Sequence, residues 1–161
     1  VPTSFGEAVC VVSRVYGEGL LIGHFFAPEM RELVQAGAAR TRDALVVLQI
    51  GPLGIKVGAW RPLGRMEDWD RRRWAATVFV TSGLGLSERQ VIRYADAEAM
   101  TVVSRRLATP QEAATLPRDG LCGYQMVPRL LEQLISDRRA VPLRNRLDFR
   151  PAGALGGSPA P

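Results

Sequence analysis

The chain has 161 residues, 47% hydrophobic and 23% charged, which fits one ordinary globular domain with its own core and excludes disorder of the whole. No apolar run approaches the ~20 residues of a membrane span, and Val1 to Arg14 lacks the basic start, apolar block and small-residue site of a secretory signal, so the expected location is the cytoplasm. The formal charge is +5, yet five arginines and one acid lie after Asp137, which leaves the preceding body near neutrality and makes a wholly basic binding face a poor expectation.

In chain order, Gly6 to Val15 alternates loosely, with Val9, Val11, Ser13 and Val15 on one side and Ala8, Cys10 and Val12 on the other, and predicts a strand covered on both faces. Tyr16-Gly17-Glu18-Gly19 supplies a tight turn, and Leu20 to Ala27 returns as the second arm of a hairpin. Pro28 to Gly37 has helical spacing with Glu29 and Glu32 early, where they suit the helix dipole. Ala44 to Ile50, apolar except for Gln49, predicts a central strand buried on both faces.

The stretch Gly54 to Gly64 brackets Trp60 with Gly58, Pro62 and Gly64, and reads as a strand end that turns tightly to lay an indole against the sheet. Met66 to Trp74 mixes both charges with two indoles and shows no period, so a loop is expected. Ala75 to Thr81 resumes strand character, ended by Ser82-Gly83-Leu84-Gly85. Gln90 to Ala95 and Met100 to Arg105, turning near Asp96 to Glu98, predict a second hairpin. Thr109-Pro110-Gln111-Glu112 is a capping box with proline at the first helical position. A last helix runs to about Ile135, beginning near Gly123 or at Pro128. The domain is expected to span residues 1–137; residues 138–161 form a basic, Pro- and Gly-rich tail, with disorder expected from Ala152. The expected class is α+β: a bent antiparallel sheet or small partly open barrel of five to six strands, with two or three helices mainly C-terminal.

Three segments together resemble the immunity protein 26 family of bacterial polymorphic toxin systems. These are Phe5-Gly6-Glu7-Ala8-Val9 through Gly23-His24-Phe25, then Val57 to Gly64 around Trp60, then Arg93-Tyr94 followed by Ala108 to Glu112. Pro62 departs from the pattern by standing two residues after the tryptophan. The resemblance implies a small cytoplasmic protein that binds one cognate toxin and blocks it, with Gly58, Trp60 and Gly64 as a structural signature and with no cofactor, no metal and no catalysis.

Glu67, Asp68, Trp69, Asp70 and Trp74 form the candidate contact, since carboxylates beside an exposed indole suit a basic toxin site; the competing and stronger reading is that Trp69 and Trp74 plug the barrel or cover an edge strand, with the charges solvating the loop. The alternative function is a nucleic-acid-binding module using Arg71, Arg72 and Arg73 between the two tryptophans, together with the basic tail. His24 is the only histidine, so any Ser-His or Cys-His chemistry must use it, with Cys10 across the hairpin or a serine close in space. Zinc lacks enough ligands at any usual spacing, and Cys10 and Cys122 are expected to remain buried thiols.

Overall fold

The computed structural model describes residues 1–17, 19–67, 69–74, 78–81, 89–95 and 101–140. Within them the chain is an α+β structure of nine strands and four α-helices. The strands are β1 (Pro2–Thr3), β2 (Gly6–Glu7), β3 (Val9–Tyr16), β4 (Leu20–Phe26), β5 (Val46–Ile50), β6 (Val78–Val80), β7 (Gln90–Tyr94), β8 (Val102–Leu107) and β9 (Leu121–Cys122). The helices are α1 (Arg31–Gln35), α2 (Leu53–Lys56), α3 (Pro110–Thr115) and α4 (Met126–Ala140). Three sheets result, none closed into a barrel: β1-β2, β3-β4-β5-β9 and β6-β7-β8.

The four-stranded sheet organises the rest. β4 lies between β3 and β5, antiparallel to both, and β9 adds a short parallel edge to β5. Period-two alternation sends Leu21 and Phe25 of β4, with Leu48 and Ile50 of β5, to one face, where they pack with Trp60 and with Val127 and Leu131 of α4. Ile22, His24 and Phe26 project to the other face. There Phe26 packs with Val9, Val11 and Trp74, while Ile22 and Tyr16 meet Phe79, Ile92 and Tyr94 of the three-stranded sheet. Gly23 is required by close packing, since a Cβ there would stand 2.8 Å from the Cys10 sulfur.

The arms of both predicted hairpins pair antiparallel, and the central position of β5 matches its apolar run. Strict alternation fails once. The β3–β4 register shifts between Val12 and Arg14, so Ser13 and Arg14 are both buried on the Trp74 side, while Val15 moves to the opposite face and is 67% exposed. The Thr109 capping box is present, its hydroxyl accepting from the Glu112 amide and the Glu112 carboxylate accepting from the Thr109 amide. Arg106 adds a bidentate grip on the same carboxylate, and hydrogen bonding to that guanidinium and to Thr109 holds Glu112 down at about 2. The last helix begins at Met126, between the two starts read from the sequence, and continues to Ala140. The strand start at Ala75, the Ser82–Gly85 break, the Asp96–Glu98 turn, Met100 and residues 141–161 lie outside the described residues.

One expectation is corrected around Trp60. After Ile50 the chain does not end a strand in a tight turn; it makes α2, with Lys56 N–H donating to Pro52 O and Val57 N–H to Leu53 O. The Trp60 amide then bonds back to Gly54 O at 2.9 Å and folds the indole over that glycine. A Cβ on Gly54 would stand 2.6 Å from the ring, so this glycine serves close packing and not turn geometry. Trp60 is only 7% exposed and meets Phe25 and Tyr124 edge-on at centroid distances of 6.3 and 6.4 Å. Gly58, at φ +73°, and Gly64, at φ +139°, hold the left-handed bends on either side.

Gly54→Ala therefore destabilises the fold by about 1–3 kcal/mol through overpacking, although alanine is the better helix former. Trp60→Ala costs ~3–5 kcal/mol by emptying the site. Chemical denaturation of both variants checks this, and a neutral or stabilising Gly54→Ala would show that the indole can retreat.

Candidate functional site

The loop expected to carry the contact begins at Met66, half-buried against the Phe26 and Trp74 cluster. Glu67 is exposed and Trp69 is 42% exposed, whereas Asp68 lies outside the described residues. Asp70 opens a single 3-10 turn, Arg71–Arg73, by accepting from the Arg72 amide at 2.9 Å, and its carboxylate also lies 3.8 Å from the Arg73 guanidinium. Trp74 is corrected from a contact residue to a core residue. It is 2% exposed, with Phe26 edge-on at 6.1 Å and the His24 ring at 4.9 Å. The loop must close over the Phe26 face of the sheet, and the large apolar side chain at its end fills that space.

Trp69 stacks on Trp74, with ring centroids 5.9 Å apart and planes within 12°. One indole is thus sealed in the core and the next rests on it, leaving part of its surface to solvent. Of the arginines beside it, Arg73 has its guanidinium 3.8 Å from the Asp70 carboxylate, so the loop does not present a simple row of cations. Among the described residues no group of three or more His, Cys, Asp or Glu side chains is arranged to hold a metal ion.

His24 is fully buried, and its Nε2 lies 2.8 Å from Ser13 Oγ. The Ser13 hydroxyl also lies 3.4 Å from Ile22 O, the direction of its bond to Nε2 following the tautomer of the ring, and the buried Nδ1 meets no partner among the described residues. Burial, then the charge of Arg14, push the imidazolium down to about 4, so the ring is neutral near pH 7. The Ser-His pairing weighed from the sequence therefore forms, but inside the core: Ser13 is 7% exposed and Trp74 covers the ring. Cys10 pairs with Phe25 and packs on the opposite face, where burial holds its thiol up at about 12, out of the thiolate range. Cys10 and Cys122 are both free thiols.

A polar link not foreseen from the sequence joins the two larger sheets. Asp119 accepts from Gln49 Nε2 at 2.8 Å and from the Tyr94 hydroxyl at 2.9 and 3.0 Å, and its own amide donates to Val80 O. Burial, followed by the bond to Asp119, raises the Tyr94 phenol to about 12. The available signal was Gln49 itself, the one polar residue in a strand otherwise apolar, which requires a buried partner. Its partner, 70 residues further on, had no signal of its own.

No protein-family model, curated protein sequence or solved structure matches the chain. Among the described residues no helix is long and apolar enough to cross a membrane.

His24 makes stability depend on pH with a definite sign. Between pH 6.5 and about 4 the unfolded chain takes up a proton at this ring that the folded chain refuses, so its contribution is present above 6.5 and lost as pH falls toward 4. The loss is on the order of 3 kcal/mol, from the free-energy equivalent of the pKa displacement. Denaturation midpoints across this range fall less steeply in His24→Gln than in the wild type; identical slopes would assign the acid sensitivity to carboxylates elsewhere.

Proposed function

We propose that this chain is a cytoplasmic immunity-type protein that neutralises a cognate bacterial toxin by direct contact, without chemistry of its own, and that Trp69 anchors the contact. The stack of half-exposed Trp69 on buried Trp74 carries this reading. An exposed indole is costly to order when it hangs free; held against a core residue, it has lost much of that freedom before any partner arrives. Large aromatics of this kind, flanked by polar rim residues such as Glu67 and Asp70, are the usual centres of binding energy between proteins. The family resemblance of the three sequence segments supplies the partner class. Burial of the Ser13–His24 pair supports a binding role over a hydrolytic one. The nucleic-acid alternative draws less support, because the Asp70 carboxylate lies 3.8 Å from the Arg73 guanidinium within the same turn.

Co-expression with the product of the neighbouring upstream gene tests this. Growth rescue and recovery of a stable pair are expected for the wild type, and Trp69→Ala with Glu67→Lys weakens the complex by about 2 kcal/mol or more, roughly thirtyfold, with the fold intact. Full protection by the double variant would move the interface off this loop. Absence of both toxicity and complex, with binding to single-stranded nucleic acid that falls steeply as salt rises, would favour the alternative.

A further inference from the structure

Four of the twelve large apolar side chains exposed among the described residues lie in one run of thirteen, from Leu53 to Arg65. Leu53 is 52% exposed, Ile55 37%, Val57 55% and Leu63 51%. Leu53 opens α2 and Val57 caps its C-terminus, its amide donating to Leu53 O at 2.9 Å, so the two stand one helical turn apart. Lys56, Arg61 and Arg65 are exposed in the same run, and from Ala44 to Met66 the chain contains no acid. Glu7 is an acid whose charge reaches Arg61, but its carboxylate is bound to Arg31 at 2.8 Å. The run is rigidly mounted, because the Trp60 amide bonds to Gly54 O and the indole fills the space above that glycine.

We propose that this surface docks an acidic amphipathic segment of a protein partner, its apolar side chains on Leu53 and Val57 and its carboxylates against Lys56, Arg61 and Arg65. Three exposed cations in a run that holds no acid, with Glu7 already bound to Arg31, select negative charge. The apolar part of this surface is one four-residue helical turn with its cap and a single leucine beyond it, short of the continuous apolar helix face by which in-plane segments hold a bilayer, and so it favours a shaped protein surface. The surface is argued from Leu53–Arg65 alone and does not depend on the toxin reading or on Trp69.

The probe is a synthetic helical peptide with leucines along one side and glutamates flanking them, titrated into isotope-labelled full-length protein and followed by amide chemical shifts. Saturable shifts are expected at Leu53, Ile55, Val57 and Leu63. Affinity falls about tenfold in Val57→Asp and in Lys56→Glu/Arg61→Glu, all exposed positions where the fold persists, and it falls with added salt. Equal binding of the same peptide carrying lysines for glutamates, or shifts located elsewhere, overturns the proposal. So does response only to phosphatidylglycerol vesicles, which would make the surface a membrane contact, and so does self-association through these residues in sedimentation. Trp69→Ala leaves the peptide affinity unchanged, which separates this site from the candidate toxin contact.

Discussion

Everything in this molecule depends on the burial of β4 on both of its faces. His24, Phe25 and Phe26 are 0% exposed in succession, so consecutive side chains must find cover on opposite sides of the sheet. α4 and Trp60 supply it on one side; Trp74 and the three-stranded sheet supply it on the other. A strand held in this way has no room for added volume, as the 2.8 Å approach at Gly23 shows. It also has no place for a charge on its own side chains, which is why its histidine is neutral.

The two buried tryptophans answer this constraint in the same manner and with different consequences. Each sits in a loop and each closes a face of the sheet, Trp60 over Phe25 and Trp74 over Phe26. Each therefore fixes a surface at a distance from itself: the cationic and aliphatic turn above Gly54 in one case, the stacked Trp69 in the other. Loops normally place their residues loosely. Here a core anchor in each loop converts exposed side chains into positioned ones, and both proposed contacts draw on that.

Regular elements were legible because their signals are local: period-two alternation for both hairpins, an unbroken apolar run for β5, and a capping box for α3. Val15 was misplaced because a bulge inserts a residue without any composition cue, and everything after it changes face. α2 was hidden because Gly-Pro-Leu-Gly reads as a break when glycine is taken as a turn former. At Gly54 the glycine is there for an indole six residues on, a tertiary reason that spacing alone does not reveal. Trp74 was read with its charged neighbours, but its burial is decided by Phe26 and His24, distant in sequence. Trp69, left open between contact and cover by the sequence, is partly exposed and stacked on Trp74.

The way the N-terminal strands meet α4 sets an order on folding. The Ser4 amide bonds to Glu132, 128 residues away, and β9 reaches β5 across a long parallel connection. Such non-local pairings form late, after the entropy of closing a large loop has been met. During synthesis the β3–β4 hairpin and β5 emerge with Leu21, Phe25, Leu48 and Ile50 facing water, and the side chains that cover them from α4 arrive only with residues 126–140. The nascent chain thus carries an open apolar sheet face from the emergence of β5 until α4 follows, an interval of exposure to aggregation and to capture by chaperones.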